Sequence, residues 1–317
     1  MAARNPHSSP LTTCPGCHSH SARTIFLRGA PLRKCRDCQL VYAPAFADPD
    51  QIYVEGYFSG EVGDFGMDTR YPEFDEFLDF VARYRMDFLE RVVTVPGRIL
   101  DVGCGDGHTL AEAKHRGWDA VGVDLVADAV ENAVTRYGLD VRRASLEESG
   151  LPHQSFDVVV TTHVLEHQLD GSGFLTSIAR WARPGGYLLI EVPNWSSADR
   201  WSNKDHWFGL RPLEHLGHYS PRTLARTLER IGAQPVAVST PSYQFHQRQT
   251  MGQALHDLGL ERLAPYVQGD RYTIPAVRRD HEIRLPKPAA SRVLHGIERA
   301  LGLLKAGSVV VMLARVP

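Results

Sequence analysis

The sequence predicts an α/β fold, a doubly wound and mostly parallel sheet, preceded by a small module held by metal. Three observations carry the prediction. From Arg98 onward, short apolar runs alternate with helical stretches, the pattern of strands and crossover helices. The first run leads into a glycine turn, Asp101-Val-Gly-Cys-Gly-Asp-Gly107, and the second ends on an acid, Asp124. Four of the five cysteines form two Cys-x-x-Cys pairs near the N-terminus.

Composition narrows the class. A chain of 317 residues can bury a full α/β core and a small extra module. Its 43% hydrophobic and 23% charged residues are those of a globular protein, and a net charge of −2 gives no whole-chain case for nucleic acid. No uninterrupted apolar run reaches ~18 residues, so no membrane span is expected. The opening MAARNPHSSPLTT lacks the apolar segment of a secretory signal. Paired cysteines of this spacing indicate metal in a reducing compartment, so a cytoplasmic location is expected, as monomer or homodimer.

Cys14-Pro-Gly-Cys17 and Cys35-Arg-Asp-Cys38 lie 17 residues apart, a spacing at which two knuckles complete a tetrahedron of thiolates. Four thiolates leave no position for water, so Cys14, Cys17, Cys35 and Cys38 are read as ligands of a structural Zn2+. About 40 residues cannot hold together by apolar burial alone, and a metal supplies what is missing. Residues 1–45 are therefore expected to form a zinc ribbon. They carry Arg4, Arg23, Arg28, Arg33, Lys34 and Arg36 against Asp37 alone, which suits either a solvated face or an anionic partner.

Residues 46–95 read as a connector and a helix. Apolar residues recur at helical spacing from Glu73 to Val93, and Tyr53 and Tyr57 ahead of them are candidates to cover a ligand. Arg98–Val102 is the first core strand, and its helix starts at His108 and stops at Gly117. Ala120–Val123 is the second strand. A helix from Asp128 to Tyr137 ends at Gly138, and Asp140–Arg143 is the third strand. Ser155–Thr162 is the fourth strand, with His163-Val-Leu-Glu-His167 opening its loop and helix. Arg183-Pro-Gly-Gly186 turns into the fifth strand, Tyr187–Pro193. Pro193–Tyr219 shows no regular pattern, and a loop of that length in a compact domain is usually functional. Ser220-Pro221 gives an N-cap and N1 proline to a helix ending before Gly232. Pro235–Thr240 and Ser308–Arg315 are the sixth and seventh strands. Residues 241–306 between them are an insertion, helical over Ser291–Lys305, for substrate or oligomer contacts. The core domain is thus 96–240 plus 307–317.

The third glycine selects the ligand. A dinucleotide fingerprint, G-x-G-x-x-G, would place a glycine at position 108, where this chain has His108; here the glycine is Gly107. Glycines allow φ > 0 and close approach of a ligand to the backbone, and a carboxylate at the second strand tip can accept both ribose hydroxyls.

From Arg98 to about Thr240 the chain resembles the class I S-adenosylmethionine (SAM) methyltransferases. DVGCGDG, Asp124, SFDVVVTTHVLEH and RPGGYLLIEVPN fall in that family's order. The resemblance implies a Rossmann-like seven-stranded sheet with SAM as cofactor. Asp101, Gly103 and Gly105 would hold its methionine end, Asp124 its ribose, and Leu125 would lie beside the adenine. Ser145 and Leu146 stand where the family commonly has an acid contacting the adenine amine. Thr162 and Tyr57 complete the expected cofactor residues.

With the cysteine module, the chain is similar to zinc-containing C-methyltransferases of secondary metabolism, some acting on nucleotide-linked ketosugars. Their Glu-His pair after the fifth strand corresponds to Glu214-His215. The resemblance implies methyl transfer to carbon or oxygen of a small molecule, with His215 as base, oriented by Glu214, and His163 as the next candidate. His167 reads as structural. His206, Trp201 and Trp207 would wall the pocket. Thr161-Thr-His-Val164 lacks the Asn/Asp-Pro-Pro-aromatic motif of amide-type N-methyltransferases. The alternative is an RNA methyltransferase whose basic zinc ribbon holds the phosphate backbone. A non-catalytic SAM-binding scaffold is a third reading.

Overall fold

The structure, a computed structural model, describes residues 8–27, 30–47, 72–203, 207–211, 213–242 and 303–317. Tyr53, Tyr57 and His206 lie outside them, as does residue span 243–302 of the expected insertion.

Five short strands open the chain: β1 (Ser8–Pro10), β2 (Ala22–Leu27), β3 (Ala30–Cys35), β4 (Val41–Tyr42) and β5 (Ala45–Ala47). After α1 (Pro72–Glu90) come β6 (Arg98–Val102), α2 (His108–His115), β7 (Asp119–Asp124), α3 (Ala127–Tyr137), β8 (Asp140–Arg143) and β9 (Phe156–Thr162). A single 3-10 turn, Leu165–His167, precedes α4 (Gly171–Ala179) and β10 (Ala182–Pro193). Then follow α5 (Ala198–Asn203), β11 (Gly217–His218), α6 (Pro221–Arg230), β12 (Gln234–Ser239) and β13 (Val309–Arg315).

The expected seven strands form one sheet in the order β12-β13-β10-β9-β6-β7-β8. β6, β7, β8, β9 and β10 are parallel, and β13 runs antiparallel to both β10 and β12. Successive residues of β13 face opposite layers. Val309, Val311 and Leu313 pack with Val81, Met86, Phe88 and Leu89 of α1, while Val310, Met312 and Ala314 join the layer of α4 and α6. A sheet covered on both faces has no polar alternation to show, which is why its inner strands β9, β10 and β13 read as continuous apolar runs, whereas the edge strands β8 and β12 do not. Chain order reverses between β9 and β6, and the site belongs in the crevice at the carboxyl ends there.

One correction concerns the loop Pro193–Tyr219: it is not without regular structure, because it contains α5 and β11. β11 pairs antiparallel with β4 and completes the sheet β11-β4-β3-β2, which joins the cysteine module to this loop. Cys14, Cys35, Cys38, Leu40 and Tyr42 share one buried cluster with Val102, Leu165, Leu216, Tyr219 and Leu228. The helix read as ending before Gly232 does so. Ser220 caps it through the Thr223 N–H (3.2 Å), and the Thr223 hydroxyl accepts from the Ser220 N–H (2.8 Å), a reciprocal capping box.

Candidate active site

The glycine turn is built by its own conformation. Gly103, Gly105 and Gly107 all have positive φ, and a Cβ on Gly103 would lie 2.5 Å from Val164 Cγ2. A side chain at Gly103 would thus both strain the turn and push the β9 loop away. Asp124 holds the turn from the neighbouring strand. Its Oδ2 accepts the Gly105 N–H (2.8 Å) and its Oδ1 accepts the Val126 N–H (2.9 Å). Each oxygen keeps a second lone pair, enough for two hydroxyl donors.

Asp101 lies at the end of β6, 1% exposed, and its buried Oδ1 has no hydrogen-bond partner. Burial pushes its pKa up to about 7, with the Asp124 charge adding to the rise and the Arg85 guanidinium opposing it. An orphaned carboxylate oxygen beside an open glycine cradle fits a ligand that brings a cationic or N–H donor. These residues fit the methionine end of SAM. Of the other expected cofactor contacts, Leu125 is exposed, Leu146 is buried, and Ser145 Oγ donates to Glu148 Oε2 (2.6 Å). Thr162 stands at the end of β9, opposite Glu191 on β10.

Sequence reasoning missed the charged centre of the site. Arg85 of α1 clamps Glu191 of β10 through two bonds, Nε to Oε2 (3.0 Å) and Nη2 to Oε1 (2.7 Å), and also donates to Thr109 Oγ1 (3.0 Å). Glu191 is wholly buried, and Arg85 with His163 holds its carboxyl far below the usual range despite that burial. His163, at φ 56°, bridges Glu166 Oε1 and Glu191 Oε1, each at 3.1 Å. The two carboxylates raise its pKa to about 9 against desolvation of the ring, whose side chain is 39% exposed. In the protonated form both nitrogens donate, and that form has no lone pair with which to act as a base. One signal for this centre was visible: a lone acid in the apolar run YLLIEVP.

His215 is buried, and its Nδ1 lies 3.1 Å from the Gly209 carbonyl, which only a protonated Nδ1 can satisfy. Burial and the neighbouring His167 hold its pKa well below the usual value, so the ring is neutral with its lone pair on Nε2. The orienting group differs from the expected one: a backbone carbonyl fixes His215, while Glu214 pairs with Arg211 (3.0 Å). His167 packs edge-on against His215, ring centroids 4.7 Å apart. Trp207 is buried and packs with Trp195 and His218, whereas Trp201, expected to wall the pocket, is 70% exposed.

The four cysteines come together as expected. Cys14 and Cys38 Sγ are 3.5 Å apart, as are Cys17 and Cys35, and all four sulfurs lie within 4.8 Å of one another. None is in a disulfide. The edge of a tetrahedron with Zn–S bonds of about 2.3 Å is close to 3.8 Å, so the donor set and spacing fit one zinc ion.

A profile of the family described as "Methyltransferase domain" matches residues 74–238, just over half of the chain. The chain belongs to the methyltransferase-domain family. A ubiquinone biosynthesis O-methyltransferase from Hahella chejuensis is 36% identical over 118 residues, 35% of this chain and 49% of the relative. A probable S-adenosylmethionine-dependent methyltransferase from Mycolicibacterium smegmatis is 36% identical over 100 residues, 30% of this chain and 38% of the relative. The chain therefore spans half or less of the length of these relatives. The methyltransferase fold is also that of a SAM-dependent methyltransferase from Thermotoga maritima, described as a possible histamine N-methyltransferase. That structure has a TM-score of 0.50 and 15% identity, covering 78% of this chain and 96% of the other.

Proposed function

We propose that the protein is a SAM-dependent methyltransferase acting on an oxygen or carbon of a small molecule. The observation that carries this reading is Asp101, buried with an open oxygen beside the Gly103–Gly107 cradle and one strand from Asp124, inside a methyltransferase domain. Bound SAM supplies an electrophilic methyl group on a sulfonium. Asp101 would meet its ammonium, the cradle its backbone, and Asp124 its ribose hydroxyls; Leu125, Ser145, Leu146 and Thr162 would line the rest of the cofactor's path, and Tyr57 stays a candidate cover. A hydroxyl or carbon acid must lose a proton as it is methylated, and the neutral His215, with its Nε2 lone pair, would be the group to take it. The Hahella relative's name, an O-methyltransferase, supports an oxygen acceptor. The likeness to zinc-containing C-methyltransferases supports carbon, with Zn2+ in the cysteine module as a structural ion.

Calorimetry with S-adenosylhomocysteine tests the cofactor. Asp124→Ala should weaken binding by about 1–3 kcal/mol, the scale of hydrogen bonds to a charged group. Unchanged affinity removes Asp124 from the site. Labelled-methyl transfer into the small-molecule fraction of a cell extract tests the acceptor class. Transfer into RNA alone would establish the alternative.

Asp101 gives a pH prediction. Its raised pKa means the ionised form is disfavoured in the free protein, so this group's contribution to stability declines as pH rises from about 4 to about 7. A ligand ammonium favours the ionised form. Affinity should therefore rise with pH up to about 7 and level off above it, with proton release on binding at pH 6. Calorimetry in two buffers of different ionisation enthalpy reads that release directly. Equal heats in both buffers would show that Asp101 does not meet the ammonium.

A further inference from the structure

We propose that Glu166, His167 and His215 form a second metal site, holding one divalent ion of the zinc class through a carboxylate oxygen and two imidazole nitrogens. Each residue offers one ligand atom, and the three atoms lie within 4.8 Å of one another. Ligands bonded tetrahedrally to one ion at about 2.0–2.2 Å are about 3.3–3.6 Å apart, so closure asks for side-chain shifts of up to about an ångström. Glu166 and His167 come from the turn after β9, and His215 from the segment leading into β11. The Leu216 N–H donates to the Glu166 carbonyl (2.6 Å) and keeps these two segments together.

The groups behind the ligands are those a metal site needs. His215 donates its Nδ1–H to the Gly209 carbonyl, which turns the Nε2 lone pair away from that contact. A carbonyl or carboxylate behind the distal ring nitrogen is the usual support of a metal-bearing histidine. Glu166 Oε1 accepts from His163 Nδ1, which orients the carboxylate. Its Oε2 has no hydrogen-bond partner in a side chain 1% exposed. A carboxylate oxygen withdrawn from water with nothing to accept is costly, and a cation is the partner it lacks. Two imidazoles and one carboxylate, with no thiolate, distinguish this donor set from the four-cysteine cluster.

Three protein ligands leave one tetrahedral position for water or for an oxygen of the acceptor. A bound ion there would lower the pKa of that oxygen, and His215 would act as its ligand rather than as a free base. This role rests on the methyltransferase reading; the metal site itself does not. It narrows the acceptor to one bearing a hydroxyl, phenol or enol oxygen.

Metal counting decides it. The full chain is dialysed against micromolar zinc, freed of loose metal by gel filtration and analysed by mass spectrometry. Two zinc ions per chain are expected. A mercurial that caps thiolates should release one, and the other should appear only on unfolding in guanidinium. Glu166→Gln and His167→Asn should each lower the count by one, with the far-ultraviolet dichroism of the wild type. One zinc per chain released wholly by the mercurial would overturn the proposal, as would a second zinc retained in both folded variants. S-adenosylhomocysteine calorimetry on the wild type reports separately on the methyltransferase reading, whose failure would leave the metal count standing.

Discussion

Replacing Cys35 with serine should cost the protein more stability than any other single change. Cys35 closes β3 and sits 3.5 Å from Cys17, with both inside the cysteine tetrad. Structural zinc supplies about 10–16 kcal/mol of apparent folding energy in isolated fingers. The module here also packs on the domain core: the Pro15 carbonyl accepts the Ser172 N–H (3.0 Å), and Arg226 reaches the Cys38 carbonyl (3.4 Å). That packing retains part of the structure, so the loss should fall below the finger value. It should still exceed the ~2–5 kcal/mol of a large-to-small core substitution. Because β4 carries β11, unravelling the module should also free the segment bearing His215. Limited proteolysis of Cys35→Ser should cut first within residues 8–47, zinc at this site should vanish, and the melting temperature should fall steeply. A variant that melts with the wild type would show four ordinary thiols.

Legibility of the site followed the range of the interactions. The glycine turn, Asp124 and the capped helix at Ser220 are local patterns, in which a few neighbouring residues fix the backbone, and they stand where the sequence put them. β11 is different. It is two residues long, and what makes it a strand is pairing with Val41 and Tyr42, distant in sequence. No periodicity can announce such a pair. Arg85 was hidden for a related reason: on an amphipathic helix it reads as a solvated side chain, and only the packing of α1 against β10 buries it. Glu191 was visible in principle, since an acid in a doubly covered strand must find a cation. Glu214 shows the limit of motif transfer. Adjacency to His215 suggested an orienting pair, but at that turn Glu214 pairs with Arg211 and a carbonyl takes the histidine.

Glu191→Gln should destabilise the protein by about 3–5 kcal/mol, the cost of removing one partner from a buried ion pair. The glutamine keeps the volume of the side chain but leaves the Arg85 guanidinium, 6% exposed, beside a neutral amide, and takes one of two carboxylates from His163. Replacing both partners separates two roles. An Arg85→Met, Glu191→Leu double variant removes both charges together, and such exchanges are often neutral for stability. It should recover most of the loss in urea unfolding. Ligand binding should not recover with it. Arg85 also holds Thr109 in the first turn of α2, the helix that follows the glycine cradle, and its charge faces Asp101. Without that cation the Asp101 pKa should climb, and proton release on binding S-adenosylhomocysteine should extend to higher pH. The decisive comparison is therefore between unfolding midpoint and binding heat in the same double variant. Recovery of stability without recovery of affinity would make the pair a positioning device for the cradle. Recovery of both would make it a structural pair only, and a Glu191→Gln protein within 1 kcal/mol of the wild type would show that the pair is not formed.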